Sequence, residues 1–235
     1  KAYHVKSWLS NHLLIAADVY LSSMDAEALG QEGLPYLWSW ENLVAILGED
    51  LEEAKRYFNW QKPDNIHQPC MVLDTIHLEE KVFDDSVIER IIHALKIARQ
   101  EMPQPRVDDK VLLDWNMALI AAMAKASVIF KDNDWLAVAK KAYKGCSNLL
   151  YHDNQWHHVA NNDQLGEKLF LDDLANVMYA QIQIYAACKE QVFLDQAEET
   201  YKLLESYWNH DANLYHMDQY QNNDLIKNPM PIIDN

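Results

Sequence analysis

His152-Asp153-Asn154-Gln155-Trp156-His157-His158 is echoed by His210-Asp211-Ala212-Asn213-Leu214-Tyr215-His216, 58 residues further on. The offset holds upstream, where Trp135 matches Phe193, Leu136 matches Leu194, Ala139 matches Ala197 and Tyr143 matches Tyr201. A weak repeat whose unit contains two helical segments predicts an array of helical hairpins. One such unit cannot bury its apolar face alone, so neighbours must stack. The repeat units run over about 108–165 and 166–223.

Working outward, the first helix of each unit is apolar nearly all round. Met117-Ala118-Leu119-Ile120-Ala121-Ala122-Met123-Ala124 is broken only by Lys125, and the second copy carries Leu174, Val177, Met178, Ile182, Ile184, Tyr185 and Cys188. Such a helix is expected to be buried on every side. The second helix is one-faced. Trp135, Val138, Ala139, Ala142, Tyr143, Cys146, Leu149 and Leu150 follow the helical period, with Lys140, Lys141 and Lys144 opposite. Phe193, Leu194, Ala197, Tyr201, Leu204 and Trp208 do the same in the second copy. Inner helices alternating with outer ones predict an all-α fold, an α/α toroid or helical solenoid. Short extended segments are expected in the loops at Gln155–Val159 and Asn213–Met217. Residues 84–102 form a further amphipathic helix, Ser39 caps a short helix over Glu41–Leu47, and residues 4–17 are a candidate inner helix. Pro63, Asp64, Asn65 and Pro69 predict an irregular stretch over 59–82.

The 235 residues fit one large domain over 1–235, and only 5 Gly and 7 Pro argue against an all-β fold rich in tight turns. A net charge of −16 disfavours nucleic acid and anionic membrane surfaces, because both need a basic footprint. Cys70, Cys146 and Cys188 lie far apart, so neither a disulfide framework nor a cysteine-rich zinc site is expected. No leader pattern and no membrane-spanning apolar run is read, so the cytoplasm is the expected location, although the chain begins at Lys1 without Met.

Two acidic pairs stand before the inner helices, Asp108-Asp109 and Asp172-Asp173. Asp is a favoured N-cap and suits the positive end of a helix. The functional reading places four carboxylates at the mouth of a cavity. There they bind sugar hydroxyls or act as general acid and base. Trp115 is either core or a platform for a sugar ring, and Asn116 can hydrogen-bond such a ligand. His152, His157, His158, His210 and His216 cluster because the loop recurs, and no HExxH spacing is present. No metal and no cofactor are expected.

Pro103 to Ala126, containing Asp108-Asp109-Lys110 and Trp115-Asn116, resembles the P-x-x-D-D-K-x-L-x-x-W-N-G-L-x-I-A-A-L-A segment of the YyaL/spermatogenesis-associated-protein-20 family, also called DUF255. Ser23-Met24-Asp25-Ala26-Glu27, Gln31-Glu32-Gly33 and Tyr36-Leu37-Trp38-Ser39 are similar to its S-A-x-D-A-D-S-E-G-x-E-G-x-F-Y-V-W-T stretch. Phe170-Leu171-Asp172-Asp173 resembles its F-L-D-D-Y-A segment, and Pro231–Asn235 the approach to its D-N-A-x-P-S-G-N motif. The resemblance covers roughly 18–235. It implies an (α/α)6 toroid of the six-hairpin glycosidase kind, related to N-acylglucosamine 2-epimerases, with the chain as a central slice or shortened relative. The family's thioredoxin-like domain has no counterpart here. Met117 replaces the Gly after Trp-Asn, Asp114 replaces a Ser, and Glu27 replaces the second Asp of D-A-D.

The resulting expectation is a carbohydrate-active toroid of the epimerase or glycosidase type. The catalytic candidates are Asp109, Asp173, Asp108 and Asp172. The substrate-binding candidates are Trp115, Asn116, Asp25, Glu27, Lys110, Arg106, Tyr36 and Trp38. The expected partner is a small-molecule sugar, together with self-association or pairing with missing parts of the same chain. The alternative is a non-catalytic helical scaffold.

Overall fold

The computed structural model describes residues 1–69, 71–72, 83–162, 164–166, 168–211 and 213–216. Cys70, residues 73–82, Met217 and the Pro231–Asn235 segment lie outside them. Eight α-helices run through the described residues: α1 (Ala2–His12), α2 (Trp40–Leu47), α3 (Leu51–Phe58), α4 (Asp85–Glu101), α5 (Leu113–Phe130), α6 (Asn133–Leu150), α7 (Leu171–Cys188) and α8 (Gln191–Glu205). The chain divides into two compact units, one of Lys1–Ser23 with Val107–Asn235, the other of Met24–Arg106.

The first unit is the repeat made visible. Helix α7 starts and ends 58 residues after α5, and α8 starts 58 after α6. Each pair is joined by two residues, Lys131-Asp132 and Lys189-Glu190, and so short a link forces antiparallel neighbours. Lys131 and Lys189 end their helices in the left-handed conformation, at φ 53° and 61°. Asp132 then caps α6 by accepting from the Asp134 N–H at 3.0 Å. α5 packs on both α6 and α7, and α7 on α8, so α5 and α7 form an inner layer.

Met117, Ile120, Ala121, Met123 and Ala124 of α5 and Leu174, Val177, Ala180 and Ile184 of α7 have almost no exposed area. Each large side chain so buried contributes roughly 1.5–3 kcal/mol. The outer stripe of α6 is buried as expected at Trp135, Ala139, Ala142, Tyr143, Cys146 and Leu150. Between the layers lies a polar chain. The Gln181 amide donates to Tyr143 Oη at 2.9 Å, Tyr143 donates to Gln196 Oε1 at 3.1 Å, and Thr200 donates to Gln181 Oε1 at 3.0 Å.

Each outer helix runs into a two-residue antiparallel hairpin. Tyr151–His152 pairs with Gln155–Trp156, and Trp208–Asn209 with Leu214–Tyr215. The expected extended segments are therefore present. Val111–Leu112 joins Val159–Asn161 and Gln164–Leu165 in a three-stranded sheet that leads directly into α5.

Four expectations need correction. The inner helix α5 is not buried on every side. Trp115 is 55% and Ile129 69% exposed, because α6 and α7 cover only part of its circumference. Leu113–Phe130 is also, by length and composition, apolar enough to cross a membrane, a run the sequence reading missed; here it packs within its own hairpins. Tyr201, the repeat partner of buried Tyr143, is half exposed, and Thr200 takes the inward position to meet Gln181. Residues 4–17 are not an inner helix. α1 stops at His12 and buries no residue, and the chain turns back through a bridge between Leu14 and Tyr20.

In the second unit, Ser39 Oγ accepts from Asn42 N–H at 3.1 Å and caps α2. Asp84 does the same for α4 through Ser86 N–H at 2.9 Å. Its core is aromatic: Trp38, Trp40, Phe58 and Trp60 pack with Leu43, Leu47, Ile88, Ile91 and Leu95.

Candidate functional site

The sequence of α7 begins with two acids, and the fold separates their tasks. Asp173, in the first turn, is fully buried. Its Oδ2 accepts from the Phe170 N–H at 2.9 Å, which satisfies a donor that a helix start leaves open. Its Oδ1 and Oδ2 lie 2.8 and 3.0 Å from His158 Nδ1. Asp173 thus both caps α7 and holds His158. Burial pushes its carboxyl up to about 6, although the His158 contact and the Phe170 N–H pull the other way. Asp172 is half-buried, and its Oδ1 accepts from the Asp173 N–H at 3.2 Å.

His158 reaches this position because its backbone is fixed on both sides. Its carbonyl accepts from Leu113 N–H at 2.8 Å at the start of α5, and its N–H donates to Lys168 O at 3.2 Å. The Phe170 ring meets the imidazole edge-on at 5.0 Å. The third member is Asp114, in the first turn of α5. Its Oδ1 is buried without a hydrogen-bond partner among the described residues. Burial raises the Asp114 carboxyl, partly offset by its N-terminal backbone and His158. One ligand-type atom from each of Asp114, His158 and Asp173 falls within 4.8 Å of the others, so this trio is also where a cation can be held.

The repeat explains the arrangement. Asp114 is the counterpart of Asp172, and Trp115 the counterpart of Asp173. Applying the offset to Asp172 finds Asp114 directly. His158 was legible only as one of several loop histidines, because its pairing with Asp173 depends on how the intervening loop folds back. Trp115, next to Asp114 in sequence, is exposed.

The other sequence candidates lie elsewhere. Asp108 and Asp109 are not at the start of α5; they occupy the Val107–Leu112 turn region that precedes it. Asp108 is paired with Lys110 Nζ at 2.7 Å, and that contact holds its carboxyl below the usual range. Asp109 is exposed. Asn116 is buried and its amide is spent on structure. It accepts from Tyr20 N–H at 2.9 Å and donates to Tyr20 O and Leu112 O, each at 2.9 Å. Asp25, Glu27, Tyr36, Trp38 and Arg106 belong to the second unit. There Asp25 N–H donates to Arg106 O at 2.7 Å and the Tyr36 hydroxyl donates to Asp25 O at 3.1 Å. Glu27 is exposed in a tight hairpin, whereas Trp38 is buried.

Fold and site together define a class, an all-α protein of inner and outer helices in hairpins, with a buried Asp at the start of one inner helix holding a part-exposed His. Three solved structures align with most of this chain, each at low identity. A cellobiose 2-epimerase from Bacillus thermoamylovorans aligns over 90% of this chain at 9% identity, with a TM-score of 0.45. A sugar epimerase from a ruminal bacterium aligns over 92% at 13% identity (TM-score 0.43). A GH76 α-mannanase from Bacteroides thetaiotaomicron aligns over 92% at 12% identity (TM-score 0.44), covering 73% of its own length. The chain spans about half the length of the two epimerases, 55% and 56%. No protein-family profile and no curated protein sequence matches it.

Proposed function

We propose that this chain carries a sugar-processing site of the epimerase or isomerase type, built on Asp114, His158, Asp173 and Trp115. The observation that carries the reading is the 2.8 Å contact between His158 Nδ1 and the buried Asp173 carboxylate. A carboxylate on Nδ1 fixes the ring and leaves Nε2 as the nitrogen that takes or gives a proton. His158 keeps 26% of its side-chain exposure, enough for Nε2 to meet a ligand. Asp173 has no exposed surface and two hydrogen-bonding partners, so it positions His158 and does not touch the sugar. That favours proton transfer at carbon by one histidine over hydrolysis by two opposed carboxylic acids. Trp115 supplies an exposed ring for stacking. The closer relationship we infer, to the YyaL/spermatogenesis-associated-protein-20 family, rests on the 103–126 segment.

Thermal unfolding against mono- and disaccharides, N-acetylated hexosamines included, tests this. A sugar that binds only the native state raises the midpoint. The expected shift disappears in Trp115→Ala and His158→Ala. No shift with any sugar overturns the reading. The exposed Val128, Ile129 and Phe130 at the C-terminal end of α5 favour a second reading, a scaffold that associates through this apolar end. Concentration-dependent association lost in Ile129→Ser, with no sugar response, selects it.

A further inference from the structure

The second unit holds a cavity of about 500 Å³ whose chemistry is unlike a sugar site. It falls within the range of roughly 300–1,000 Å³ usual for small-molecule sites. Its floor is apolar, with Trp38, Phe58 and Leu95 all buried. Those walls are held firmly. Trp38 and Met71 exchange two backbone hydrogen bonds of 3.0 Å, and Phe58 stacks on Trp60 at 4.8 Å. The indole N–H of Trp60 in turn donates to Val72 O at 2.9 Å, which fixes the Val72 side of the cavity.

One stripe of α4 supplies half of the lining residues. Ile92, Leu95, Lys96 and Arg99 recur at helical spacing, so the lining passes from apolar to cationic along the helix. Arg99 lies with its guanidinium carbon 5.7 Å from the centre of the Tyr36 ring. Its Nη1 is buried and has no hydrogen-bond partner among the described residues. Neither Lys96 nor Arg99 forms an ion pair among the described residues. A buried guanidinium donor without an acceptor is costly, and a flat carboxylate matches its fork. Sugar hydroxyls would find few partners on a lining of this kind.

We propose that this cavity binds an amphiphilic monocarboxylate, with its apolar body on Trp38, Phe58 and Leu95 and its carboxylate on the guanidinium edge of Arg99, supported by Lys96. The site is separate from His158–Asp173 and does not depend on the sugar reading. It belongs to residues that the sequence reading grouped with the sugar candidates, Tyr36 and Trp38, and gives them a different ligand.

Titration calorimetry of the whole chain with decanoate, below its micelle concentration, tests the proposal, with decanol as the uncharged control. Saturable binding of one decanoate per chain is expected, with decanol much weaker. Arg99→Gln should weaken decanoate by about 10- to 100-fold, the loss expected for a charge-assisted pair. Arg99→Lys, which keeps the charge and loses the fork, should fall between. Absence of saturable decanoate binding overturns the proposal. So does decanol binding as tightly as decanoate, or an unchanged affinity in folded Arg99→Gln. If Arg99→Gln fails to fold, the Arg99→Lys affinity and the decanoate-to-decanol ratio of the natural chain decide the matter in the same way.

Discussion

His158 Nδ1 and Asp173 Oδ1 lie 2.8 Å apart, with the carboxylate fully buried and the imidazole partly open. The pair couples the loop after the first hairpin to the first turn of the second inner helix. Its chemistry and its contribution to stability are therefore linked. Asp173 holds its proton more tightly in the folded protein, near 6, than an ordinary carboxyl does at 3.8. The stabilisation from that protonated form is complete below about 3.8 and is lost as pH rises through about 6. Across this window the natural chain should lose up to about 3 kcal/mol relative to Asp173→Asn. Urea unfolding of both proteins between pH 4 and 7.5 checks it. Parallel pH profiles would show that Asp173 titrates like an exposed acid.

Trp115→Ala should leave stability within about 0.5 kcal/mol of the natural chain, because the ring is exposed. The same variant should lose the sugar-induced rise in midpoint. A large stability loss without added sugar would mean that Trp115 is a packing residue.

Asn116→Ala should destabilise by about 2–4 kcal/mol, since it strands Tyr20 N–H and two carbonyls in the interior. Urea denaturation measures this directly. A near-neutral result would release Asn116 to the ligand-binding role assigned to it from sequence.

Gly145→Ala sets two effects against each other. Alanine is favoured over glycine in a helix by roughly 1 kcal/mol. A Cβ at 145, however, would stand 2.4 Å from Ala17 O and 3.0 Å from Asp18 O, both backbone atoms. Overpacking against a rigid backbone costs about 1–3 kcal/mol or more, so a net loss of stability is expected. A higher melting temperature would mean that the 17–18 turn yields freely.

Tyr143→Phe removes the central hydroxyl of the Gln181–Tyr143–Gln196 chain and should cost about 1–2 kcal/mol. Combined with Thr200→Val, the losses should depart from additivity by more than about 0.5 kcal/mol, because both act through Gln181. Strict additivity in a double-mutant cycle would show that the two hydroxyls do not communicate.

The hairpin repeat was legible because it is local. A period of 58 residues, a one-faced α6 and α8 and a near-continuous apolar α5 are properties of neighbours in sequence. Capping at Ser39 and the two short hairpins after the outer helices were legible for the same reason. The acidic start of α7 was legible too, and one of its carboxylates, Asp173, reaches His158.

What tertiary structure alone decided are the contacts that join distant positions. Asn116 was read as a ligand contact and is instead claimed by Tyr20, 96 residues away. Tyr143 and Tyr201 are equivalent in the repeat, yet one is buried and the other half exposed, because Thr200 turns inward toward Gln181. Asp108–Asp109 and Asp172–Asp173 look alike as sequence, but only the second pair starts a helix and meets a histidine. Periodicity fixes which face of a helix is apolar. Which polar groups on that face find one another depends on how helices pack across the chain, and that is where the buried charge of Asp173 and its raised pKa arise.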